Sequence, residues 1–161
     1  MSPEGPSYSF DTSALIDGLE RYYPESAFPG LWSQIDALVD EGRIFVSEEV
    51  WEEAHKRDEV AKQWCERHGK DALTIPTDSN VAAEVQRILA ATPRLVMQMK
   101  NRNRADPFVI AVARIREAAV VTGEGSDGTE ARPKIPYVCA QLNLPCMRLI
   151  DVIREERWTF S

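Results

Sequence analysis

The sequence predicts an α/β fold with a central, mostly parallel sheet of about four or five short strands and helices on both faces. Two observations carry that prediction. Short apolar runs rich in aromatic and β-branched residues, such as "YSF" from Tyr8, "RIFVS" from Arg43 and "AVVTG" from Ala119, alternate with longer segments of helical period. Strands and helices that alternate in this way build parallel βαβ units, with both faces of the sheet covered.

"YSFDT" (residues 8–12) is the first strand and carries the carboxylate of Asp11 at its end. "SALIDGLERYY" follows with Leu15, Leu19 and Tyr22 at helical spacing, and Ser13 is its candidate cap. "YPESAFPG" is a loop with two prolines and a glycine. "LWSQIDALVDEG" places Leu31, Ile35, Leu38 and Val39 on one helix face, and Gly42 stands where a helix stops. "RIFVS" is the second strand. Ser47 then opens a single long helix, 47–69, with acids in its first turns and Gly69 at its end.

"ALTIP" (72–76) is a short extended piece, and "DSNVAAEVQRILAAT" is a helix that ends near Pro93. "LVMQMKNRNR" is a helix that fades into a basic loop. "ADPFVIAVARIREA" is a strongly apolar helix, with Asp106 as N-cap and Pro107 at its first position. "AVVTG" is the third strand, "EGSDGTEARPKIP" a turn-rich loop and "YVCAQLNL" a short helix. "PCMRLI" is the fourth strand and "DVIREERW" the closing helix. There is no internal repeat.

The 161 residues suit a single domain over 1–161. No apolar run approaches the roughly 20 residues of a membrane span. The N-terminus lacks the basic and apolar regions of a secretory signal. Cys65, Cys139 and Cys146 form no CxxC pair, and His55 and His68 lie far from the last two in sequence. Reduced thiols in a cytoplasmic protein are therefore expected, and not a disulfide framework. A net charge of −7 argues against holding nucleic acid by bulk electrostatics alone. It leaves room for a nucleic-acid enzyme whose acids bind a cation.

Parallel sheets place ligand sites beyond the carboxyl ends of their strands. Asp11 ends the first strand there. Glu124 and Asp127 follow the third, and Glu49, Glu52 and Glu53 occupy the first turns after the second. Asp106 opens a helix and reaches that edge only if the tertiary path brings it there. Each acid also has an ordinary role: Asp11 and Asp106 as caps, the glutamates as first-turn acids, Glu124 and Asp127 as solvated loop charges. Gathered in one pocket they would repel one another and need a cation between them. Hard oxygen ligands favour Mg²⁺ or Mn²⁺ over zinc, and such an ion can activate water against a phosphodiester.

"FDTSALID", "VSEEVWEEA", "ADPFVIAVA" and "VVTGEGSD", in that order, resemble the PIN-domain nucleases. The resemblance covers nearly the whole chain. It implies a three-layer α/β/α fold, an acidic Mg²⁺ or Mn²⁺ site and endoribonuclease activity. Many bacterial members are VapC-type toxins of toxin–antitoxin pairs, and "KIPYVCAQLNLPCMRLIDVIREE" resembles a PIN-like branch apart from the common toxins. The family pattern makes Asp11, Glu53, Asp106 and Glu124 the catalytic acids. Glu52 is the neighbouring alternative to Glu53, and Asp127 is a fifth metal ligand or a substitute for Glu124. Thr12, Ser13 and Thr122 support them. The fourth acid is often Asp in the family, and here Glu124 is longer.

The resemblance further implies that Lys100, Arg102 and Arg104 guide an RNA backbone, that a small antitoxin occludes the site, and that the protein forms a homodimer. Trp32, Trp51 and Trp64 are the candidate dimer surface, or else core. Two other readings stand beside this one. A haloacid-dehalogenase-type phosphatase would use Asp11 as nucleophile, but Ser13 occupies the position of its general acid. A catalytically inactive scaffold binding RNA or protein would not need the full acid set.

Overall fold

The computed structural model describes residues 4–95, 105–124 and 133–160. Five strands are present among them: β1 Tyr8–Phe10, β2 Ile44–Ser47, β3 Thr74–Ile75, β4 Ala119–Val121 and β5 Cys146–Met147. They form one all-parallel sheet in the order β3-β2-β1-β4-β5, flanked by helices in a three-layer α/β/α arrangement. From β1 the chain builds outward through β2 to β3, then returns to the other side of β1 for β4 and β5. The strand order therefore reverses between β1 and β4, and ligands favour the carboxyl side of such a point.

The helices are α1 Thr12–Ile16, continued by a π-helical stretch over Asp17–Tyr22, then α2 Pro29–Asp40, α3 Glu48–Arg57, α4 Glu59–His68 and α5 Lys70–Leu73. After them come α6 Ser79–Ala91, α7 Asp106–Arg116, α8 Ile135–Gln141 and α9 Leu149–Glu155. No helix among the described residues is long and apolar enough to cross a membrane.

Several expectations need correction. The long helix over 47–69 is two helices, because Asp58 turns extended (φ −152°) and its carboxylate accepts from Ala61 N at 2.9 Å, starting α4 afresh. Ser47 does cap α3, accepting from Val50 N at 3.2 Å. Ser13 does not cap α1. The cap position is Asp11, whose side chain makes no capping bond. Asp106 is likewise no N-cap: Ala105 holds that position, with no side-chain cap bond, and Asp106 is the first helical residue. The "PCMRLI" strand shrinks to Cys146–Met147, since Leu149 already begins α9 with Asp151 Oδ2 accepting from Arg148 N at 3.0 Å.

One cluster of buried apolar residues spans the sheet and the helices packed on it. Trp32 and Trp64 belong to it, meeting edge to face at 5.9 Å, so they are core and no free surface. Trp51 is half-buried against His55. Helix α7 is the central element of the packing, with Val109, Ile110, Ala111, Val112 and Ala113 all buried. Ser9, in the middle of β1, donates to Val109 O at 3.0 Å and locks the helix to the strand. The helix runs against the strand direction, from the carboxyl edge at Asp106 back to Glu117, which turns left-handed (φ 54°) and feeds β4. That antiparallel path is what delivers Asp106 to the end of β1.

Candidate metal centre

Three acids converge at the carboxyl edge between β1 and β4. Asp11, Asp106 and Glu124 each offer an oxygen within 4.8 Å of the others. Asp11 and Asp106 are buried, and Glu124 is half-buried. The sheet register sets the first contact. Phe10 pairs with Val121, and Asp11 N donates to Val121 O at 2.8 Å, so Asp11 and Thr122 emerge side by side.

Two hydroxyls then fix the Asp11 carboxylate. Ser13 Oγ donates to Asp11 Oδ2 at 2.6 Å, and Thr122 Oγ1 donates to the same oxygen at 3.1 Å. Each hydroxyl has a single proton and spends it there, so the 3.3 Å approach of Ser13 to Thr122 is a contact and no further bond. Their lone pairs face the following backbone. Gly123 N donates to Ser13 Oγ at 2.9 Å, and Glu124 N donates to Thr122 Oγ1 at 3.2 Å. The web thus ties the start of α1 to the end of β4 and sets the path into Glu124. Gly123 has no room for a side chain: a Cβ would collide with the Asp17 carboxylate and lie 3.1 Å from Ser13 O. Glu124 Oε2 is held from the far side by Ile135 N at 2.9 Å.

Asp106 differs from the other two. Its Oδ2 is buried and has no hydrogen-bond partner. A buried carboxylate oxygen without a partner is costly unless a proton or a cation sits on it. Burial, then the neighbouring Asp11 and Glu124, push its carboxyl up to about 9. Burial first, and also the charge of Glu53, raise Asp11 despite its hydroxyl bonds. Burial and Asp11 raise Glu124, partly offset by Ile135 N and Lys134. The donor set fits a hard divalent cation, which would remove the mutual repulsion and occupy the orphaned oxygen.

The other site candidates fall in different places. Glu53 lies close enough to raise the carboxyls of Asp11 and Asp106 but is outside the tight group, and Arg57 Nη1 holds its Oε1 at 2.8 Å. Glu52 is exposed on the same helix. Glu49 turns away to accept from Thr77 Oγ1 at 2.9 Å. Thr12 is buried with its Oγ1 unpartnered. Asp127, Lys100, Arg102 and Arg104 lie outside the described residues.

Two neighbours escaped the sequence reading. Asp17 stands one helical turn beyond Ser13 on the same face, and that i,i+4 spacing was its only signal. Cys139 on α8 lies beside the acids. Its hydrogen bond with Cys146, burial and the charges of Glu124 and Asp106 raise its thiol far above the ordinary range, so it stays protonated. Nothing in the local sequence signals that proximity.

A family model described as "Domain of unknown function (DUF4411)" matches residues 8–160 of the chain. No curated protein matches it.

Proposed function

The chain belongs to this domain family of unknown function, DUF4411, and we propose that it is a Mg²⁺- or Mn²⁺-dependent nuclease that hydrolyses RNA phosphodiester bonds. The observation that carries the reading is the convergence of Asp11, Asp106 and Glu124 around a buried Asp106 oxygen that has no partner. Those three residues would hold the ion. When bound, such a cation supplies Lewis acidity toward a phosphoryl oxygen and makes water nucleophilic near neutral pH.

The chain's own residues do the rest. Ser13 and Thr122 fix the Asp11 carboxylate in one orientation, and Ile135 N fixes that of Glu124. Glu53 is half-buried, outside the tight group and ion-paired with Arg57, and in this reading it is the candidate to take a proton from the attacking water. The finer reading rests on the order of the four motifs resembling PIN domains: an endoribonuclease of VapC-like type, the toxin of a toxin–antitoxin pair, working in the cytoplasm as a homodimer. The acid cluster, with three carboxylates within 4.8 Å, supports the metal-dependent part of that reading, and the toxin role, the compartment and the dimer rest on the resemblance alone.

The test is cleavage of a fluorogenic single-stranded RNA with Mn²⁺ by wild type, Asp11→Asn and Asp106→Asn. Loss of cleavage in both variants, with melting curves showing folded protein, is the expected result. Cleavage that survives in both would refute the proposal. RNA binding without cleavage in the wild type would leave a scaffold in its place.

A further inference from the structure

A cleft of about 430 Å³ opens on the β5 side of the acid cluster. Its volume lies within the roughly 300–1,000 Å³ of small-ligand sites. Thr122 and Glu124 are among its lining residues, so it adjoins the metal centre. Pro136, Leu144 and Met147 give it apolar walls. Its polar lining includes the exposed Arg148 and the carboxylate of Asp151. Asp151 is only partly engaged: Oδ2 accepts from Arg148 N at 3.0 Å, and Oδ1 lies 3.5 Å from Arg154 Nη1. Each oxygen has a second lone pair to offer.

We propose that this cleft seats the nucleobase next to the scissile phosphate, and that it prefers bases carrying an exocyclic amine over uracil. The proposal rests on the nuclease reading above and names a substrate subsite for it. A strand whose phosphate lies at Glu124 can place a neighbouring base in the cleft, because Glu124 lines both. There, Pro136, Leu144 and Met147 offer an apolar surface to a base in an open cleft, and a guanidinium can stack on the base or bond to its edge. The Asp151 carboxylate accepts from an amino group, as acidic side chains do from cytosine N4. Uracil offers the same carboxylate an N–H flanked on both sides by carbonyl oxygens, which repel it.

Cytidine and uridine titrated into the metal-free protein, followed at the Met147 methyl signal by NMR, test the proposal. Cytidine should shift that signal and bind about tenfold more tightly than uridine. Asp151→Asn, which keeps an acceptor for Arg148 N, should erase the preference. Ala140→Trp should block both ligands, and Ala140 is an exposed position on α8 that also lines the cleft, so the larger side chain need not disturb the core. No shift at Met147, equal affinities for the two nucleosides, or a preference that survives Asp151→Asn would overturn the inference. The titration needs neither metal nor cleavage. Cytidine binding in a protein that never cuts RNA would sink the nuclease reading and leave a nucleobase site with no scissile phosphate beside it, and RNA cutting without binding at Met147 would sink this inference alone.

Discussion

Replacing Asp106 by asparagine should stabilise the metal-free protein and abolish its stabilisation by Mn²⁺. The Asp106 carboxyl titrates near 9 in the folded protein against 3.8 for an ordinary aspartate, because it is buried beside Asp11 and Glu124. Between those values the folded protein keeps a proton that the unfolded chain releases. The unfolded state thus binds fewer protons, and stability falls as pH rises through the window, by about 1.4 kcal/mol per pH unit. From 3.8 to neutral pH this amounts to at most about 4 kcal/mol. Asparagine has no proton to lose, and its amide can donate to the remaining carboxylates. The variant should therefore gain up to about 4 kcal/mol at pH 7. Its pH slope becomes shallower but not flat, because Asp11 and Glu124 are raised as well.

The assay is urea unfolding of both proteins from about pH 5 to pH 9, with and without Mn²⁺. Metal at a hundredfold excess over its Kd should add about 2.7 kcal/mol to the wild type and nothing to the variant. The wild-type gain should grow with pH, because the ion displaces the Asp106 proton. A variant less stable than wild type at pH 8 would refute the reasoning. So would wild-type stability that rises across the window without metal, or equal stabilisation of both proteins by Mn²⁺.

Two further outcomes follow from the same geometry. Ser13→Ala removes one of the two hydroxyl donors to Asp11 and the acceptor for Gly123 N, and should weaken Mn²⁺ binding by about 10- to 100-fold in a calorimetric titration while the protein stays folded; undiminished affinity would show that the web does not position Asp11. Trp32→Ala deletes a core side chain packed on Trp64, and should cost about 3–5 kcal/mol in urea unfolding, whereas a surface tryptophan would cost little.

Much of the layout was legible in local chemistry. Apolar runs marked β1, β2 and β4, and Ser47 and Gly69 marked helix ends, because capping and strand propensity act over a few residues. The sequence further supplied acids at the ends of β1 and β4, where a parallel sheet presents them to a common edge. It did not show that Asp58 would break a helix, because capping and continuing are both locally acceptable there. It did not separate Trp32 and Trp64 in the core from Trp51 at its margin.

What only the tertiary structure decided is the identity of the cluster. Asp106 before Pro107 reads locally as an N-cap, and only the packing of α7 against β1, fixed through Ser9, turns its carboxylate toward Asp11. Glu53 and Glu124 looked equivalent as acids near one edge. The sheet register brings Glu124 within reach of Asp11, while Glu53 lies outside the tight group and pairs with Arg57. A sequence specifies which charges each element carries. Whether those charges meet depends on how the elements pack, and here that packing brings three carboxylates together at the point where the strand order reverses.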